Sequence, residues 1–387
     1  MPNVGGTELP MYYYAKELVK KGHEVTIFAA NAIKFKPSNL RENEVMDGIL
    51  VRRFRFFSLP FYDQFFFSPS LLPVLLSIKT DVVHIFSWLP SFYVLLPFLF
   101  AKLRKTPLVL YPQCYPERCK NYPSATKRLV GTFMDRILGP RVFKRASFII
   151  ALTKREADFY KKCGVNNVEI VREPIFLTAP PPKDEISRFS EKHGICDDDV
   201  VLLSVGRIVK YKGIDTLIKS LPILLKYNPR TKLLVVGEDS GFLSQCIKLV
   251  GQLNCKRNVI FTGLISDEEL SCAYEVANVV IVPSFFEGYG RVVLEAWVHQ
   301  RPVIVTESVG LAELVSSDGG IVVKTGDSDQ LAYAALKLIN DPKLAERMGK
   351  KGFQKLRKEF TWKVGAESLE RIYYSLSARS EKTRRTG

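Results

Sequence analysis

A chain of 387 residues that is 47% hydrophobic and 25% charged excludes a disordered polymer, and its length suits two globular domains of about 150–200 residues each. Seven cysteines, odd in number and irregularly spaced, exclude a disulfide framework and point to a reducing, cytoplasmic compartment. The formal net charge of +16 is concentrated, since residues 51–150 hold 15 Lys+Arg against 4 Asp+Glu.

The chain opens "MPNVGGTELP", a glycine pair leading into helical spacing at Met11, Tyr14, Ala15 and Leu18, with Gly22 placed to end the helix. In a nucleotide-binding βαβ unit such a loop follows a strand of about five or six residues, and no such strand precedes Gly5 and Gly6. Strands are predicted at 24–30 (EVTIFAA), 81–86 (DVVHIF), 107–112 (PLVLYP), 147–152 (SFIIAL) and 168–171 (VEIV), with helix-length segments between them. That alternation argues for a parallel sheet covered by helices. Within it, "RRFRFFSLPFYDQFFF" and "WLPSFYVLLPFLFAKLRK" mix basic charge with bulky apolar residues. Two readings fit: a peripheral contact with an anionic membrane, or core elements edged by solvated lysines. Prolines and polar residues interrupt the run before a spanning length of about 20 residues is reached. The charge comes with no nucleic-acid-reading motif, so no nucleic-acid partner is expected. Cys114 and Cys119 lie near no histidine or second cysteine pair and read as ordinary thiols.

The proline-rich, charged stretch 178–199 reads as a linker between an amino-terminal domain, 1–177, and a carboxyl-terminal one, 200–361. Its Asp197-Asp198-Asp199 run precedes a buried strand rather than following one, which favours a solvated turn over a metal site. The second half alternates more cleanly. Strands are predicted at 200–205, 232–236, 258–262, 279–283, 302–305 and 320–323. Residues 362–387 read as an amphipathic helix with a basic tail, packing back on the first domain. Two doubly wound sheets in tandem follow, an α/β fold whose default ligand site is the cleft between them.

Two constellations could carry chemistry. "GRIVKYKG" (206–213) brings Arg207 and Lys212 to the carboxyl end of a strand, where ligands bind such sheets. A forked guanidinium and a mobile ammonium suit a pyrophosphate, although two surface cations would give the same pattern. "FFEGYGRVVLEAW" (285–297) puts Glu287 in a loop, Gly288 and Gly290 where backbone can approach a ligand, and a helix amino terminus after them. Glu295 lies eight residues on, about 12 Å along the axis of a continuous helix, so the two carboxylates can address opposite ends of one ligand. As an isolated pair they also match a hydrolase acid and base, or two solvated side chains.

With "GGTE", "KKGHEVT", "DVVH", "GRIVKYKG", "VVGED", "FTGLISDEEL", the Glu-x7-Glu of "EGYGRVVLEA", "VGLAELV" and "FTW" in this order, nearly the whole chain resembles the retaining glycosyltransferases of family 4, which have the GT-B fold. The resemblance implies two Rossmann-like domains and transfer of a sugar, with retention, from a nucleotide-diphosphate donor such as a UDP- or GDP-sugar. It assigns Arg207 and Lys212 to the donor pyrophosphate and Glu287 to hydroxyls of the donor sugar. Amides of Gly288, Tyr289 and Gly290 assist Glu287. Glu295 would bind the ribose, Gly263 and Leu264 would line the base pocket, and Gly5 and Gly6 would approach the phosphates from the other domain. Two fixed cations and helix-end amides can take the charge that grows on the leaving diphosphate, so neither metal nor cofactor is expected.

Other positions depart from the family or carry less. Where many relatives have a histidine, this chain has Gln113, which can hydrogen-bond a sugar hydroxyl but cannot serve as a base. His84 matches a strand-end position of the family and reads as an acceptor or sugar contact or as a structural histidine, whereas His23 and His299 carry no expected role. The family pattern also implies that a central first strand is missing before Gly5. The leading expectation is a hexosyltransferase acting on a lipid-linked or glycan acceptor at the inner face of the membrane. Its alternative is a GT-B-like protein that binds nucleotide-sugar without transfer.

Overall fold

The computed structural model describes residues 8–33, 36–59, 62–87, 92–112, 129, 132–133 and 139–385. The chain divides into two compact units, Met1–Pro174 with Phe360–Gly387, and Ile175–Glu359.

In the first unit, helix Glu8–Lys20 buries Ala15 against Ile27, Ile49 and Val51. Strand Thr26–Ala30 runs parallel to Ile49–Phe54, which is antiparallel to Asn43–Met46. The last two form a hairpin that strand–helix alternation did not predict. Its two-residue turn is Asp47-Gly48 with φ of 50° and 79°, the mirror-image turn geometry that suits strand twist. A separate parallel sheet orders its strands Val168–Ile170, Phe148–Ala151, Leu108–Leu110 and Val83–Ile85. Leu108, Leu110, Ile149 and Ala151 supply its core with Phe143 and Tyr160. Among the described residues, Thr26–Ala30 and Val83–Ile85 each end a sheet, and no strand joins them.

Helix Trp362–Arg385 belongs to this unit. It sets Trp362 against Tyr13 and Tyr14, and Glu370 takes both Lys21 and His23. Its Ala366, Leu369, Ile372 and Leu376 are buried. Among the described residues no helix is long and apolar enough to cross a membrane.

The second unit is one six-stranded sheet with strands in the order 259–263, 231–236, 200–205, 279–282, 303–306, 320–323. All neighbours are parallel. Val279–Val282 and Val303–Thr306 are buried at every position, as continuous apolar runs must be when helices cover both faces. Chain direction across the sheet reverses between 200–205 and 279–282, the topological switch point where such sheets bind ligands beyond their strand ends.

The 178–199 segment is not a linker. It lies within the second unit and folds as helix Lys183–His193, ended by Gly194 at φ 62°. Phe189 is buried and Ile186 half-buried, an apolar face hidden among charges, and the helix packs on Asp267–Val276. Nor is the aspartate run wholly solvated. Asp199 is 6% exposed, pairs with Arg230 at 3.5 Å and accepts from the Cys196 amide at 2.9 Å.

Candidate active site of the second unit

Both sequence constellations emerge at the switch point, one from each flanking strand. After Val200–Val205 the chain passes Gly206 and Arg207, makes a 3-10 turn over Lys210–Lys212, and enters helix Ile214–Tyr227 through Gly213. Gly213 has φ 71°, and a Cβ there would stand 2.0 Å from the Pro283 carbonyl oxygen. Only glycine allows that approach, and it seats the first loop directly on the second. The Phe285 amide then donates to the Tyr211 carbonyl at 2.8 Å. Arg207 lies along the same loop, its Nη2 donating to the Tyr211 hydroxyl at 2.9 Å.

The second loop presents Glu287 to this surface. Lys212 Nζ donates to Glu287 Oε2, and the two side chains are only 19% and 20% exposed. Backbone bonds hold the carboxylate in place: the Gly310 amide donates to the Glu287 carbonyl at 2.9 Å and the Leu311 amide to the Tyr289 carbonyl at 3.0 Å. Gly290, at φ 97°, ends the loop and opens helix Arg291–Val298. The Gly288, Tyr289 and Gly290 amides therefore lie at a helix amino terminus with a cation–carboxylate pair beside them. A helix end, Arg207 and Lys212 together form a surface suited to an anion, and Glu287 one suited to hydroxyl donors.

Glu295 is on that helix, but the helix begins at Arg291, so Glu295 stands only about 6 Å along its axis. The continuous helical path from Glu287 that the spacing allowed is not present. Glu295 Oε2 accepts from the Tyr274 hydroxyl at 2.7 Å and Oε1 lies 3.4 Å from Arg291 Nε. Gly263, at φ 73°, closes strand Val259–Gly263 and accepts from the Gly237 amide at 3.0 Å. The strand lies two places from 200–205 in the sheet, about 10 Å away, and Leu264 beyond it is 80% exposed.

Sequence spacing missed Tyr274. It lies 21 residues before Glu295 on a different helix, and no local pattern connects them. His299, given no role from sequence, stacks on the Tyr274 ring at 5.1 Å and 10° and bonds Glu275 through Nδ1 at 2.7 Å.

Gly5, Gly6 and Gln113 lie outside the described residues. His84 belongs to the first unit, in strand Val83–Ile85. Its Nδ1 is 2.6 Å from the Tyr373 hydroxyl on the terminal helix, and burial lowers its pKa to about 3. Burial also raises the Tyr373 pKa, so a neutral imidazole meets a neutral phenol, and Nε2 is a buried atom with no hydrogen-bond partner among the described residues. His84 is thus neutral rather than a cation. Among the described residues no three His, Cys, Asp or Glu side chains gather as metal ligands do.

A model of glycosyl transferases group 1 matches residues 185–355, and one of glycosyltransferase family 4 matches residues 4–176. An uncharacterized glycosyltransferase of Methanocaldococcus jannaschii is 25% identical over 390 residues, 96% of this chain and 94% of its own. The GDP-mannose-dependent monoacylated alpha-(1-6)-phosphatidylinositol monomannoside mannosyltransferase of Corynebacterium glutamicum is 30% identical over 206 residues, 51% of this chain and 53% of its own. The crystal structure of Anabaena HepE with UDP has a TM-score of 0.72 at 18% identity and covers 97% of this chain and 98% of its own. That likeness shows the fold, which is GT-B.

Proposed function

Because the chain belongs to the glycosyltransferases of group 1 and family 4, whose two halves it matches in order, we propose that it is a retaining hexosyltransferase. It moves a sugar from a nucleotide-diphosphate donor to a lipid-linked or polysaccharide acceptor at the cytoplasmic face of a membrane. The observation that carries the reading is the joining of Lys212 and Glu287 beside Arg207 at the switch point of the donor-binding unit.

In transfer the bond between the anomeric carbon and the diphosphate oxygen breaks while a bond to the acceptor oxygen forms, negative charge grows on the leaving nucleoside diphosphate, and the acceptor hydroxyl gives its proton to the departing phosphate oxygen. Lys212 exchanges Glu287 for that charge, with Arg207 and the Gly288–Gly290 amides beside it. The released Glu287 carboxylate accepts from hydroxyls of the donor sugar. Such preorganised donors lower the barrier because their charge needs no rearrangement as the reaction proceeds. Two cations fixed in this way supply the electrostatic part without added metal. Glu295 takes the ribose, and the ends of the 259–263 and 231–236 strands border the base. The UDP bound by Anabaena HepE and the GDP-mannose in the corynebacterial relative's name support a nucleotide-diphosphate donor.

The membrane part rests on the first unit. Leu95, Leu99 and Leu103 are exposed along one face of helix Phe92–Arg104, and Leu72 and Leu76 are exposed on the neighbouring helix Leu71–Ser77. Lys102 and Arg104 stand among them, an arrangement suited to anionic lipid.

Calorimetric titration with UDP-, GDP- and ADP-glucose tests the donor site. One base is expected to bind selectively, and Arg207→Ala or Lys212→Ala to weaken it at least tenfold, about 1.4 kcal/mol. Glu287→Ala is expected to abolish transfer with a smaller effect on binding of the free nucleoside diphosphate, and EDTA to leave the wild-type rate unchanged. Binding with no transfer to any lipid-linked or glycan acceptor would identify a nucleotide-sugar-binding protein instead. No binding by a cooperatively melting chain would overturn the donor site altogether.

A further inference from the structure

We propose that Tyr274 is a positioning residue for Glu295, setting that carboxylate to discriminate a ribonucleotide from its deoxy counterpart; this rests on the reading of Glu295 as the ribose ligand. The Tyr274 hydroxyl donates to Glu295 Oε2 at 2.7 Å. At 2% exposure the phenol cannot reach a bound nucleotide, so any influence on one passes through Glu295.

One face of the ring is covered. It belongs to helix Asp267–Val276, and the imidazole of His299 lies nearly parallel to it at 5.1 Å. Glu275 fixes that imidazole through Nδ1 at 2.7 Å and also takes Arg301 Nη2 at 2.8 Å. Burial works against the Glu275 charge, but His299 and Arg301 hold its pKa below the usual carboxylate value. The ends of the 267–276 and 291–298 helices are thereby stapled together. Burial first, and the neighbouring Glu295 charge second, push the Tyr274 pKa well above its ordinary value, so the phenol remains an O–H donor at any working pH.

The other anchor on Glu295 is weak. Arg291 is 3.4 Å away, one helical turn earlier and 38% exposed, and a long, partly exposed pair of that kind orders a carboxylate less than a short, buried hydrogen bond does. Ribose recognition needs the carboxylate oxygens aimed at a vicinal diol. Without the tyrosine hydroxyl, that ordering must occur on binding, at a cost in affinity. The 2′,3′-dideoxy nucleotide makes no such contact, so it should not register the loss.

The test titrates UDP, GDP and ADP, each against its 2′,3′-dideoxy analogue, into the full chain and its Tyr274→Phe, Glu295→Ala and doubly substituted forms. The expected result for Tyr274→Phe is a loss of about fivefold for the best-bound ribonucleotide, less than the tenfold equivalent of 1.4 kcal/mol, with the dideoxy affinity within twofold. In the Glu295→Ala background the tyrosine change should add nothing. A merely structural tyrosine would lower both affinities together and would do so in either background, and that outcome overturns the proposal. If Glu295→Ala erases the ribose preference but Tyr274→Phe preserves it, positioning is refuted while the ribose reading stands. If Glu295→Ala leaves the preference intact, the ribose reading itself falls and the proposal with it.

Discussion

Glu156 is 3% exposed, the third residue of helix Lys154–Lys162, and it bonds twice to the segment that leads into the helix. Its amide donates to Thr153 Oγ1 at 3.2 Å, and its Oε2 accepts from the Leu152 amide at 2.8 Å. Burial raises its pKa from 4.5 to about 7, the Leu152 amide opposes this, and the Glu173 charge adds to it. With the folded pKa above the unfolded one, the folded chain holds the extra proton, so stability is fully present below pH 4.5 and is lost as pH rises towards 7. The loss is on the order of 3 kcal/mol at most, from the linkage of pKa to free energy. Glu156→Gln keeps an acceptor oxygen and removes the titration. Its melting temperature is therefore expected to gain on the wild type between pH 5 and pH 8, as calorimetric scans at both pH values would register; a constant difference would refute the assignment. At this scale the sequence was legible where a residue's place follows from the end of a strand. Arg207, Lys212 and Glu287 could be named because a parallel strand delivers its next residues to the ligand edge whatever the details of packing. The contacts of Tyr274 could not be named, because it meets Glu295 and His299 across separate helices.

At the scale of elements, helix Phe92–Arg104 illustrates what periodicity can and cannot decide. Its apolar residues surround the helix: Val94 and Ala101 face the parallel sheet, Phe100 faces Leu71 and Leu75, and Leu95, Leu99 and Leu103 face solvent. From sequence, core burial and membrane contact were equal readings, and the structure divides the residues between a buried face and an exposed one. If the exposed face meets anionic lipid, wild-type chain should co-sediment with vesicles of phosphatidylglycerol and phosphatidylcholine. Leu99→Ser with Leu103→Ser should lower the vesicle partition coefficient by roughly a hundredfold or more, since each buried leucine contributes about 1.5–3 kcal/mol. Equal sedimentation of the two proteins would remove this face from any account of membrane contact. Other elements were hidden for definite reasons. Helix Lys183–His193 sits in a charged, proline-led stretch that looked like linker because only Ile186 and Phe189 mark its apolar side. The 43–54 hairpin is signalled locally by its Asp47-Gly48 pair alone, because an antiparallel hairpin breaks the alternation of strands and helices that marks the rest of the chain.

At the scale of the whole molecule, the first unit is completed by the last segment of the chain. Burial of Leu369, Ile372 and Leu376, with Ala366 beside them, contributes about 4.5–9 kcal/mol, counting each large side chain at about 1.5–3 kcal/mol, against a typical domain stability of about 5–15 kcal/mol. Ending the chain after residue 361 is therefore expected to remove or sharply lower the calorimetric transition of the first unit, while the transition of the second unit and its nucleotide affinity persist. Loss of both transitions together would show that the units do not fold independently. The sequence by itself determined the strands of the second half and, in the first, those near 26–30, 83–85, 108–110, 148–151 and 168–170, the alternation that makes parallel sheets, and the segments that carry Arg207, Lys212, Glu287 and Glu295. Those properties depend on apolar runs and neighbouring residues, which are local. Tertiary structure alone decided that Lys212 meets Glu287, that Tyr274 holds Glu295, that the terminal helix closes the first unit, and which leucines face outward. Each of these depends on segments far apart in the chain being brought together by packing, and no local pattern encodes the partner.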